Sequence, residues 1–194
     1  MNEQPDSAAN CAELAEIALK CGFTCVRPLD PQKIRVRQEV REACAENKCG
    51  YYGNNWACPP ACGELSDCAD RIHGYESGII MQTTGRLADE FDWDGMLRLG
   101  EEHAARVSAF SDAVLPCYPR SLVLGAGGCR VCEPCAYPAP CRFPQKMTCS
   151  MEAYGMLVSE VCSDNGLKYY YGAGTLTYVA CFLTRRPQTI KDKM

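Results

Sequence analysis

The 194-residue chain predicts an α+β fold, a sheet with packed helices that carries two cysteine-rich metal-binding loops. Three observations point there. Segments with the two-residue period of a strand alternate with segments of helical period. Two segments between them, about residues 44–68 and 125–144, are so interrupted by glycine, proline and asparagine that they read as loops. Those two loops hold nine of the sixteen cysteines. Length divided by roughly 150 suggests a single domain over residues 1–194, large enough to bury a core without staples.

From Ser7 to Lys20 the apolar residues Cys11, Leu14, Ile17, Ala18 and Cys21 recur at three- and four-residue steps, an amphipathic helix that Gly22 ends. "FTCVRPL" reads as a short strand, and "DPQKIRV" offers an Asp cap with proline at the first helical position. After the first loop, Ser77–Gly85 reads as a strand. The stretch Asp94–Ala113 carries Met96, Leu97, His103, Val107 and Phe110 near helical spacing. "SLVLGAGG" is a strand running into a glycine loop. "SMEAYGMLVSEVCSDNG" reads as a capped helix with Gly166 beyond its end, and "LKYYYGAGTLTYVACFLT" as two β segments about a Gly-Ala-Gly turn, with the tyrosine run packed in a strand.

A net charge of −4 without a dense lysine or arginine run argues against a nucleic-acid partner. No apolar stretch approaches the roughly 20 residues of a membrane helix. The polar, acidic start "MNEQPDSAAN" lacks the features of a secretion signal, so a cytoplasmic location is expected. In that reducing compartment clustered thiols serve metals or redox chemistry rather than disulfides.

Cys129, Cys132, Cys135 and Cys141 form C-x2-C-x2-C-x5-C, followed by Arg-Phe-Pro. Bacterial ferredoxins hold a four-iron, four-sulfur cluster with the related run C-x2-C-x2-C-x3-C-P. Two-residue spacing lets successive thiolates meet different corners of a cube. Gly125, Gly127 and Gly128 permit the close backbone approach that amide-to-sulfur hydrogen bonds need. Zinc is the rival, although zinc knots more often show two separated C-x2-C knuckles. The first loop supplies Cys44, Cys49, Cys58, Cys62 and Cys68 at looser spacing, and Pro59 and Pro60 stiffen the backbone after Cys58. Trp56, Tyr51 and Tyr52 are candidates to shield it from water.

Together "VREACAENKCGYYGNNWACPPACGELSDCADRIHGY" and "LGAGGCRVCEPCAYPAPCRFPQKMTCSMEAYGMLV" resemble a domain-of-unknown-function family of cysteine-rich prokaryotic proteins described as predicted metal-binding proteins. The resemblance spans nearly the whole chain. It implies that the metal ligands are Cys44, Cys49, Cys58, Cys68, Cys129, Cys132, Cys135 and Cys141. Cys62 falls outside the family pattern and ranks below Cys68. How the eight divide between two sites stays open, because in two-cluster ferredoxins the fourth cysteine of the run serves the other cluster.

His73 and His103 are read as surface or core residues. Cys11, Cys21, Cys162 and Cys181 are read as small buried hydrophobes. Cys25, Cys117 and Cys149 are less clear, with Cys149 close enough to the second run to be a ligand. Arg142 is either a solvated residue or a charge that tunes Cys141. The functional expectation is a protein with two 4Fe-4S clusters that passes single electrons to a protein redox partner. The alternatives are a zinc-binding structural or regulatory module and an enzyme with an open cluster site.

Overall fold

A computed structural model describes residues 5–185, with side chains from residue 11 onward. Helix α1 (Pro5–Lys20) stops at Gly22, whose positive φ of 96° reverses the chain into strand β1 (Cys25–Leu29). The Asp30 carboxylate accepts from the Gln32 amide at 3.0 Å, and with Pro31 it opens a single 3-10 turn, Pro31–Lys33. Helix α2 (Gln38–Ala45) and helix α3 (Leu65–His73) bracket the first cysteine loop. Strand β2 (Ser77–Arg86) follows, then helix α4 (Trp93–Val114), whose N-terminus is capped where Asp92 accepts from the Gly95 amide at 2.8 Å. Strand β3 (Ser121–Gly125) leads into the second cysteine loop, which returns through the short strand β4 (Cys149–Ser150). A 3-10 turn (Glu152–Tyr154), helix α5 (Val158–Asp164) and strand β5 (Thr175–Thr184) complete the order.

The five strands form one sheet in the order β1-β2-β5-β3-β4, antiparallel except for the β3–β4 edge. Period-two alternation sends the strand residues to two different cores. Ile79, Met81, Ala180 and Phe182 face α1 and α4, where Leu14, Val107, Phe110 and Val114 meet them. Ile80, Val179, Cys181, Leu183, Leu122 and Leu124 face the opposite way, against Ile72 of α3, Val161 of α5, and Met151, Tyr154 and Met156 of the β4–α5 connection. Both cysteine loops rise from this second side. No helix among the described residues is long and apolar enough to cross a membrane.

The α+β class is the one the sequence predicts, and three of its elements need correction. The first loop is irregular only over residues 46–64, because Cys44 lies on α2 and Cys68 on α3. The helix expected from Ser150 onward is interrupted: Gly155 sits at φ +77°, and Leu157 is extended before α5 begins. A Cβ at Gly155 would lie 2.4 Å from Leu65 Cδ1, so the chain turns left-handed there to pass α3. The Ser150 hydroxyl does cap, but it caps the 3-10 turn, accepting from the Ala153 amide at 3.0 Å. The tyrosine run forms no strand: Tyr169, Tyr170 and Tyr171 are exposed, and the Tyr171 hydroxyl donates to Gln82 at the sheet.

Candidate metal centre

The first loop is built to turn sharply. The Gly53 amide donates to the Pro59 carbonyl at 2.9 Å, and the Cys62 amide to the Cys58 carbonyl at 3.1 Å, folding the Pro59-Pro60 step back on itself. Cys58 is buried here, and Cys49 at the α2 exit is exposed. On α2, the Cys44 thiol lies 3.9 Å from the Glu152 carbonyl. The Cys62 thiol lies 3.6 Å from the Ala153 carbonyl. Both thiols thus lean on the 3-10 turn after β4.

Three residues of the first loop reach the second. Buried Asn55 donates to the Cys129 carbonyl at 3.0 Å while its own carbonyl accepts from the Ala57 amide at 2.9 Å. Trp56 donates its indole N–H to the Ala139 carbonyl at 2.8 Å and meets Tyr137 edge-on, ring centroids 5.1 Å apart. Tyr51 packs on Gly128, where an added Cβ would fall 2.8 Å from the ring. The aromatic residues of the first loop therefore cover the second, and the glycine is required by their approach.

The electrostatics report which thiols are neighbours. Cys58 is pushed up to about 12, first by burial and then by the nearby thiols of Cys49, Cys149, Cys44 and Cys129. Cys149 is raised to about 11 by burial, with Arg71 and Arg41 opposing and Cys68 and Cys129 adding to the rise. Cys44 is raised by burial, by Glu152 and by Cys49. Thiols that oppose one another's ionisation lose that penalty when metal binding displaces their protons. Cys62 and Cys68 share a side-chain hydrogen bond; it lowers Cys68, which also accepts from Arg41 at 3.3 Å, and raises Cys62.

Cys135 differs from all of these. Burial opposes its ionisation, yet hydrogen bonds from the amides of Tyr137, Trp56 and Ala136, with the charge of Arg142, hold it below the ordinary thiol value. One of the three amides comes from the other loop. The Arg142 guanidinium also donates to the Pro134 carbonyl, which fixes it within the second loop.

Of the eight cysteines predicted as ligands, Cys44, Cys49 and Cys129 stand near enough to Cys58 to raise its pKa, as Cys149 does. Cys68 lies with Cys62 and beside Cys149. Cys132, Cys135 and Cys141 stay half-buried on the second loop. All sixteen cysteines are free thiols. Among the described residues no three His, Cys, Asp or Glu side chains form a ready-made site for a single ion. The fit of a thiolate-bound metal rests on the donor set, on the amides aimed at Cys135 and on Arg41, whose buried Nε has no partner and whose charge reaches Cys44, Cys62, Cys68 and Cys149.

Sequence reasoning missed Arg41 and Asn55 and left Cys149 undecided. Arg41 precedes Cys44 by three residues, one helical turn, a signal that became readable only once α2 was known. Asn55 carries no such signal. His103 is buried in the helix-covered core, and His73 is exposed with a ring nitrogen 2.9 Å from the Ile34 carbonyl. Cys162 and Cys181 are fully buried, whereas Cys11 and Cys21 are only partly buried against the helix-covered core.

The family model described as "Predicted metal-binding protein (DUF2284)" matches residues 27–184, and the chain belongs to that family. No curated protein and no solved structure matches the chain.

Proposed function

We propose that this metal-binding protein carries two 4Fe-4S clusters, one on each cysteine loop, and passes single electrons to a protein redox partner in the cytoplasm. The observation that carries the reading is the C-x2-C-x2-C-x5-C run, whose Cys135 is held below the ordinary thiol value, against the effect of burial, by backbone amides of both loops. Amide donors on sulfur suit a ligand of an anionic cluster, whose potential such hydrogen bonds help to set. The C-x2-C-x2-C-x5-C run supplies Cys129, Cys132, Cys135 and Cys141 as the second-loop ligands. Cys44, Cys49 and Cys58 supply the first loop, with Cys68 or the adjoining Cys149 to complete it.

When bound, a cluster of this kind supplies one-electron storage; the protein contributes position and shielding. Trp56, Tyr137 and Tyr51 exclude water from the inner side of the second loop. Its outer side carries exposed Val131 and Phe143 beside half-buried Cys132 and Cys141, so a docked protein can come close to the cluster ligands. Metal and sulfide analysis after anaerobic purification tests the reading. Four irons and four sulfides per site and a broad band near roughly 400 nm that bleaches on reduction are expected. A colourless, zinc-loaded protein would overturn it.

One observation favours a second reading, an enzyme with an open iron at the first site. A pocket of about 620 Å³ lies between α2 and the Glu152–Ser159 segment, and Glu152, whose carbonyl meets the Cys44 thiol, lines it. A non-protein ligand on one iron of the loaded protein, seen by Mössbauer spectroscopy, would favour the enzyme; uniform thiolate ligation would favour electron transfer.

A further inference from the structure

Among the described residues, the second face of the molecule contains a positive charge that pairs with no carboxylate. Arg41 stands on α2 one turn before Cys44. Its Nη2 donates to the Gly63 carbonyl at 2.8 Å and to the Cys68 sulfur at 3.3 Å. Its Nε is buried and meets no acceptor. Among the described residues it makes no ion pair with a carboxylate, unlike Arg35 and Arg37, which share Glu160. Its charge bears on four thiols, Cys44, Cys62, Cys68 and Cys149, and the Asp67 carboxylate stands on the Gly63 side.

A guanidinium cannot shed its proton, so a part-buried one is held best beside negative charge or full hydrogen bonding. Here the hydrogen bonding is incomplete. Metal binding would remove the thiol protons and set negative charge directly against Nη2, which already touches the Cys68 sulfur at 3.3 Å. Arg71 adds a second positive charge on the Cys149 side, but it is already occupied, donating to the Tyr154 hydroxyl at 2.9 Å.

We infer that Arg41 is the positioning and charge-compensating residue of the first metal site, holding the Gly63 turn against the thiolates and raising the reduction potential of the group they bind. This rests on the iron-sulfur reading for its redox readout. A positive charge beside a centre that gains an electron favours the reduced state, and arginine does this without titrating. Nη2 alone donates to both the carbonyl and the sulfur, and the rigid guanidinium plane fixes the direction of those two N–H bonds, whereas those of an ammonium rotate freely.

The test compares Arg41→Gln and Arg41→Lys in the anaerobically loaded full-length protein. The readouts are the midpoint potential of each site and the rate of metal loss to a chelator. Arg41→Gln is expected to lower the first-site potential by about 59 mV or more, a tenfold shift in the one-electron ratio. The second-site potential should not move, and metal loss from the first site should speed at least tenfold. Arg41→Lys should recover most of the potential but only part of the metal retention, because it restores charge without the fixed N–H directions of the guanidinium plane. If Arg41→Gln loads fully with both potentials unchanged, the inference fails. If that variant does not fold, Arg41→Lys decides: a near-wild-type potential with faster metal loss supports the inference, and wild-type retention with a lowered potential overturns it. A wild-type protein loaded with zinc would sink the iron-sulfur reading alone; the metal-loss order wild type, Lys, Gln would still decide the role of Arg41.

Discussion

The two faces of the sheet are stabilised by different physics. Beneath α1 and α4 lies a core of aliphatic and aromatic side chains: Phe110 meets Phe182 and Phe23 edge-on at 5.5 and 6.4 Å, and Tyr118 meets Phe182 at 5.5 Å. On the other face the apolar residues next to the sheet are overlaid by turns, three short helices and the thiols of two loops. The helix-covered face gains its free energy from area removed from water, which metal does not affect. Above the opposite core, the loops contribute few apolar side chains, and their free sulfurs oppose one another's ionisation. The difference teaches that one side of this chain is held by burial alone, while the thiol-bearing side is the one whose order a bound metal would change.

Removing metal is the strongest way to break that contrast. Structural thiolate sites are worth on the order of 10 kcal/mol or more, as large as the stability of a whole domain. Chelation under reducing conditions is expected to abolish amide-exchange protection across residues 46–64 and 126–148 while β2, β5 and α4 keep theirs. Cys132→Ala should reproduce this for the second loop and drain metal from it. Uniform protection with and without metal would show that the loops are self-supporting.

Next comes a change on the metal-free side. Phe110 is fully buried, and its truncation to alanine removes two aromatic contacts and leaves a cavity. A loss of about 3–5 kcal/mol is expected by thermal or urea unfolding. Metal per folded molecule should stay at the wild-type value. A variant that loses metal in proportion to stability would mean that the two faces fold as one unit.

Acid separates the faces in a third way. His103 packs between Phe23 and Tyr178 with a ring nitrogen 3.0 Å from the Thr83 hydroxyl, and burial lowers its pKa from 6.5 to about 4. Between those values the unfolded chain takes up a proton that the folded chain refuses, so stability falls as pH drops from 6.5 towards 4. At 1.36 kcal/mol per pKa unit the full loss is about 3 kcal/mol. His103→Gln should flatten this slope relative to wild type in unfolding titrations. An unchanged slope would mean that thiol protonation and metal release account for all the acid sensitivity.

The sequence made the helix-covered face easy to read. The periodicities of α1 and α4 and the alternation of β2 and β5 follow directly from burying one apolar side. Near the loops those signals failed for physical reasons. Helix α2 buries no residue fully, so it has no apolar stripe to detect. The capping pattern at Ser150 was real but served a 3-10 turn, because Gly155 had to pass Leu65. The candidate run Cys129–Cys141 stood out by its spacing, since chelate geometry is local, whereas the looser spacing of the first loop marked its candidates only through the family resemblance. Their neighbours did not stand out. That Cys149 lies by Cys58, and that Arg41 reaches Cys68, depends on how distant segments stack over the sheet.

The finest test of the contrast asks whether the cysteine-bearing face is one site or two. Asn55 is 2% exposed and is a direct polar tie between the loops: its amide donates to the Cys129 carbonyl, and its oxygen accepts from the Ala57 amide one residue before Cys58. Alanine leaves both backbone groups without that partner, at a cost of about 1–3 kcal/mol. Asn55→Asp keeps the acceptor for Ala57 but sets a carboxylate against the Cys129 carbonyl and near thiolates, so it should be the worse of the two. If the loops act as one unit, either variant releases metal from both sites at the same chelator concentration. Loss confined to the first loop would divide the face into two independent centres, with Cys129 belonging wholly to the second.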